Sequence, residues 1–195
     1  MSRSETRAIA QEIKTQAIIL ASFIALIWSL ELIDLFFLGR ALDRYGIIPR
    51  QLIGLRGILF APFLHGGLAH VAANTIPFLT LGWLVMLRET KDFFVVTAIA
   101  MLTTGLGTWL IGASNSIHVG ASGIIFGYLG FLLFRGYFER RVVSIAFSII
   151  VGLLYGGLIW GVLPFQIGIS WEGHLFGFIG GGLAARLLSR RQRRS

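Results

Sequence analysis

Long apolar runs, separated by short clusters of charge, glycine and proline, dominate the chain from residue 17 onward. Six of them fall at about 17–38, 68–87, 93–111, 122–138, 142–162 and 172–188. Each is near the roughly 20 residues a helix needs to cross a hydrocarbon core of about 30 Å. The first run is too long for the apolar part of a signal peptide and lacks a small-residue cleavage site, so it reads as an uncleaved first span. The pattern predicts an all-α, polytopic membrane bundle of six transmembrane helices. A single domain covers residues 1–195: a short N-terminal segment of about 1–16, a six-helix core of about 17–188, and a basic tail of about 189–195.

Composition agrees with this pattern and narrows it. Hydrophobic residues make up 55% of the 195 positions and charged residues only 13%, with a mean hydropathy of +0.79. A soluble domain of this size needs far more surface charge. The absence of cysteine excludes disulfides, thiolate nucleophiles and cysteine-based metal sites. A net charge of +8 invites a nucleic-acid reading, but the placement of the basic residues argues otherwise. An even number of spans puts both termini on one side. All but four of the 17 Lys and Arg residues then lie on that side, the exceptions being Arg40, Arg44, Arg50 and Arg56 in the first outer loop. Such a bias predicts cytoplasmic termini in a cell (inner) membrane. The terminal "RRQRRS" reads as a topology determinant against anionic lipid, with no nucleic acid implied. The first outer loop, about 39–67, carries two prolines and several glycines between apolar stretches. It is predicted to be a half-buried loop of short helical turns, because irregular backbone is not tolerated against lipid.

Polar residues inside spans are functional candidates, since burying them unpaired costs several kcal/mol. The second, fourth and sixth spans all run from outside to inside. Their first turns therefore bring His70 and Asn74, Ser122, and His174 to one level near the outer face. Two Gly-Ala-Ser triplets precede or open the fourth span. Ser114 belongs to a turn and is assigned no role. Ser122 opens a helix, where neighbouring backbone N–H groups lack intrahelical partners and could face an oxyanion. Gly120 and Gly123 allow close backbone approach there. Ser122 could equally be a packing residue. Small residues at Gly123 and Gly127, and at Gly173, Gly177, Gly181 and Ala185, form faces on which helices can pack closely. Such packing would also bring Ser122 toward His174.

Other polar residues suggest less. His70 and Asn74 share a helix face, but no matching carboxylate joins them, so no metal site is expected. Glu172 lies two positions from His174 and points elsewhere on the helix. His118 reads as an ordinary polar loop residue. Glu31 and Asp34 are expected to reach the interface or to pair with an arginine of the first loop.

The motifs "HGGLAHVAAN", "GASG" and "GHLFGFIGG", in this order on the second, fourth and sixth spans, resemble the rhomboid intramembrane serine proteases over roughly residues 17–188. The resemblance implies Ser122 as nucleophile and His174 as general base, a dyad without a third acid. It implies an oxyanion hole lined by His70 and Asn74 with the Ser122 N–H. Supporting roles fall to His65, to Gly120 and Gly123 in the turn, and to Gly177 where the fourth and sixth helices touch. Two departures stand out. The first outer loop lacks the Trp-Arg pair of many rhomboids, and the position four after the serine, often tyrosine, is Phe126, whose ring could pack on the His174 imidazole. The implied activity is that of a cofactor-free serine endopeptidase cleaving transmembrane protein substrates near the outer face. Its site would open to the extracytoplasmic side. An inactive rhomboid-like scaffold or chaperone binding client helices is the alternative. A small transporter fits poorly, because the polar residues gather at the outer face rather than at the midplane and no inverted repeat is visible. Oligomeric state is left open.

Overall fold

A computed structural model describes residues 2–164 and 168–192. Six long helices follow one another: α1 (Arg3–Phe37), α2 (Leu68–Met86), α3 (Thr90–Ile111), α4 (Ser122–Glu139), α5 (Val142–Tyr155) and α6 (Trp171–Gln192). Among the described residues there is no strand, only an isolated antiparallel bridge between Ile47 and His118. The architecture is the expected all-α membrane bundle. By length and composition alone, four of its helical segments qualify as membrane spans: α1, α2, α3 and α5 with its continuation to Val162. The remaining two, α4 and α6, are the glycine-rich helices at the centre.

Several boundaries differ from expectation: α3 starts at Thr90, α5 ends at Tyr155 with the rest of its run, Gly156–Val162, in 3₁₀ form, and the two ends of the chain differ as well. The first helix begins at Arg3 rather than near residue 17, so the N-terminal segment is helical. Ser2 and Glu5 form a reciprocal capping box there, and no glycine or proline interrupts residues 3–37, so charge alone does not stop the helix. At about 1.5 Å per residue this helix is about 52 Å long, well beyond a hydrocarbon core. At the other end, α6 runs on through Gln192, so the predicted tail is helical to that point. Residues 193–195 of that tail lie outside the described residues.

Glycine sets the packing of the centre. A Cβ on Gly177 would press on the Gly123 carbonyl, and one on Gly181 on the Gly127 carbonyl. The backbones of α4 and α6 thus touch directly, which only glycine permits. Below the site, Phe78 of α2, Phe93 of α3 and Tyr128 of α4 form a buried aromatic cluster. The Tyr128 hydroxyl is paired with Thr97 at 2.7 Å. Buried Gln16 ties α1 to the turn between α2 and α3, donating to the Met86 carbonyl at 3.2 Å and accepting from the Trp83 indole at 3.1 Å.

The loop between α1 and α2 is a string of short turns, with 3₁₀ segments at Ala41–Tyr45, Leu52–Arg56 and Ala61–Phe63 around one helical turn at Gly57–Phe60. Ile47, Gly54, Gly57, Ala61 and Pro62 are buried in it. Glu31 and Asp34 are buried too. Asp34 accepts from the Leu42 N–H at 2.9 Å, closing the start of the loop, whereas the expectation is the interface or an arginine of the first loop.

Candidate functional site

The loop between α1 and α2 packs against the segment that leads into α4. The backbone N–H and C=O of His118 pair with Ile47, each at 2.9 Å, and the Gly120 N–H donates to the Ala61 carbonyl at 2.9 Å. The Ala121 N–H then points at His65 Nε2, 3.4 Å away. Three of the four residues before Ser122 are thus held from one side. His65 is 2% exposed, and it stands behind the segment that leads into Ser122 instead of lining the cavity. Burial, with the nearby His70 adding to the effect, pushes its imidazole pKa down to about 3. A neutral ring is what an acceptor nitrogen requires.

Ser122 begins α4, directly after Ala121 at the helix cap. It is half-buried and borders a cavity of about 910 Å³ that His70, Asn74, Phe126 and His174 also line. Gly120 has φ of +122°, and a Cβ there would lie 2.7–2.8 Å from the His70 ring. Only glycine satisfies both the conformation and the space. The Gly66 N–H points at His70 Nδ1 at 3.4 Å, which leaves the other ring nitrogen as the one carrying hydrogen toward Gly120. Asn74 is buried, and its amide nitrogen has no partner among the described residues. Such a donor ordinarily costs about 1–3 kcal/mol if it stays unpaired.

His174 sits in the first turn of α6 and is 8% exposed. Its ring stacks on Phe126 with centroids 4.1 Å apart and planes 9° from parallel. Its Nδ1 is 2.9 Å from the Gly161 carbonyl. A carbonyl only accepts, so Nδ1 carries the hydrogen and Nε2 presents its lone pair. Gly161 is the residue that sequence reasoning missed. A Cβ there would lie 2.9 Å from Phe126 and 3.1 Å from His174 Nδ1. Its signal is only a glycine in the "GGLIWG" run, since a backbone carbonyl leaves no mark in sequence.

Two assignments change. Ser114 accepts from Arg50 Nη2 at 2.7 Å, while Nη1 of that arginine donates to the Leu110 carbonyl at 3.1 Å. With the Trp109 indole donating to the Gln51 carbonyl at 2.8 Å, this clamps the loop between α1 and α2, which lacks the Trp-Arg pair. His118 is not a solvated loop residue either. It is half-buried, with both ring nitrogens paired to serines. Gly123 and Gly177 meet at the α4–α6 contact described above, outside the cavity wall formed by the polar side chains. Among the described residues no group of three or more His, Asp or Glu could hold a metal.

Similarity to known proteins defines the class. The Rhomboid domain family matches residues 53–191. An uncharacterized protein of Mycobacterium tuberculosis is 44% identical over 182 residues, covering 89% of this chain and 75% of the relative. RHOMBOID-like protein 4 of Arabidopsis thaliana is 31% identical over 140 residues, or 67% of this chain and 33% of that protein. Rhomboid protease GluP of Bacillus subtilis is 31% identical over 132 residues, or 64% of this chain and 24% of the relative. The chain belongs to the rhomboid family of multi-pass membrane proteins.

Proposed function

We propose that the protein is an intramembrane serine endopeptidase that cleaves transmembrane substrates with Ser122 and His174. One observation carries the reading: His174 donates from Nδ1 to the Gly161 carbonyl. Its unprotonated Nε2 is then held in the same cavity as a serine at a helix start. A backbone carbonyl and a stacked phenyl ring do the orienting that a carboxylate does in a triad. In this reading the Ser122 hydroxyl attacks a peptide carbonyl as Nε2 takes its proton. The oxyanion accepts from the Ser122 N–H, from His70 and from the otherwise unpaired Asn74 amide. The imidazolium then protonates the leaving amine, and water, deprotonated by His174, releases the acyl group.

The depth of the site supports access to water from outside. Ser122 and Arg135 are about 20 Å apart along α4, less than the thickness of the hydrocarbon core. With Arg135 at the inner interface, Ser122 lies below the outer surface, at the floor of a cavity open to the extracytoplasmic side. The distribution of Lys and Arg supports cytoplasmic termini in a cell membrane. A substrate helix must fray to present its peptide bond, which favours glycine and small residues near the cut.

The test is cleavage of a model transmembrane substrate by purified protein. S122A and H174A are each expected to lose at least about 10³-fold in rate. Cleavage that survives S122A would instead favour a scaffold that binds client helices.

A further inference from the structure

His118 lies where three pieces of the chain meet. Its backbone is paired with Ile47 of the outer loop. Its Nε2 is 2.7 Å from Ser116 Oγ, and its Nδ1 is 2.8 Å from Ser170 Oγ. The two ends of this link have matching positions: His118 precedes Ser122 by four residues, and Ser170 precedes His174 by four. Ser170 also caps α6, its Oγ accepting from the Gly173 N–H at 3.3 Å and its carbonyl from the His174 N–H at 3.1 Å.

The donors and acceptors along this path have one consistent direction. The Ser116 hydroxyl donates to the Ala113 carbonyl at 2.6 Å, so Ser116 Oγ accepts from His118 Nε2–H. His118 Nδ1 is then an acceptor, and the Ser170 hydroxyl donates to it while its oxygen takes the Gly173 N–H. Burial lowers the pKa of this imidazole, and the Glu172 carboxylate only partly opposes the shift. A neutral ring is what the path needs. Sub-ångström placement matters here, because a shift of about 1 Å between reacting groups can cost about 10²-fold in rate.

We infer that His118 is a positioning residue, which ties the segment ending in Ser122 to the cap of the helix carrying His174 and so sets the separation of nucleophile and base. The inference rests on the hydrolytic reading of Ser122 and His174. The α4–α6 glycine contact and the stacking of Phe126 on His174 join the two helices within the bundle. The His118 link spans the two loops that enter the helices.

The experiment uses the full chain in detergent with a model transmembrane substrate. It measures kcat and KM for wild type, S122A, H118A, H118N, H118Q, S170A and the H118A/S170A double variant. H118A is expected to lower kcat by about 10- to 100-fold with KM within about twofold. An asparagine amide reaches the place of Nδ1 and a glutamine amide that of Nε2. H118N should therefore recover most of the lost kcat and H118Q little. S170A should match H118A, and the double variant should fall no more than about twofold further. Losses that multiply in the double variant, equal behaviour of H118N and H118A, or a change confined to KM would overturn the proposal.

Hydrogen exchange separates this failure from failure of the hydrolytic reading. If wild type and S122A behave alike, that reading falls. The link is then judged by the Gly173 and His174 amides, which should exchange about tenfold faster in H118A while those of α2 do not change. Unchanged exchange at Gly173 and His174 would overturn the link itself.

Discussion

Helix α5 and the pair α4–α6 are built on opposite principles. α5 with its continuation is the most apolar stretch of the bundle and the least buried, with Val142 84% and Leu153 82% exposed. Only Ser144 and Val151 of α5 itself are buried. In α4, every residue from Gly123 to Leu132 is buried, yet neither α4 nor α6 meets the composition of a membrane span. Hydropathy therefore marks what faces lipid. Where helices face each other, small residues replace large ones, because lipid and leucine are equally apolar and only closeness of contact distinguishes the neighbours. Ser122 and His174 sit on the first turns of this tightly packed pair, where they border the cavity.

The same substitution in both regions should have opposite effects. G181A puts a methyl group against the Gly127 carbonyl and 2.6 Å from the Phe131 nitrogen, backbone atoms that cannot rotate away. It is expected to cost at least about 3 kcal/mol, or to prevent folding, in a detergent unfolding series. The second effect in size concerns His65, behind the segment that leads into Ser122. Its folded pKa of about 3 lies below the usual 6.5, so the unfolded chain binds the extra proton. Its contribution to stability is complete above about pH 6.5 and declines as pH falls toward 3, by about 2 kcal/mol at pH 5. H65Q keeps an acceptor but does not titrate, so it should flatten the pH dependence by about one proton. Parallel curves would contradict this. The smallest effect belongs to α5. A methyl at Gly152 would meet only Leu133 Cδ2, at 3.5 Å. G152A should therefore stabilise by about 0.5–1 kcal/mol through helix propensity. Equal destabilisation by G181A and G152A would remove the contrast.

The two regions were also legible to different degrees. Apolar length located all six helices, and the start of α4 at Ser122 and the end of α3 at Ile111 coincide with expectation. The start of α1 at Arg3 lies well before the apolar run that marks its span, and its signal is the Ser2–Glu5 spacing of a capping box. Within the site, side chains on helical first turns could be read from topology. What orients them could not: the Gly161 carbonyl bonded to His174 is backbone. His118 and Ser114 looked like ordinary loop polarity because their partners, Ser170 and Arg50, are distant in sequence. Polar loop residues become informative only once the fold supplies their partners.

The central claim is that Ser122 is a nucleophile activated by His174. The most direct measurement is covalent labelling of the purified protein by a fluorophosphonate, with the modified residue located by mass spectrometry. Labelling should fall on Ser122 in the wild type, slow by at least about 10²-fold in H174A, and vanish in S122A. Equal labelling of wild type and H174A, or labelling that persists in S122A, would contradict the assignment.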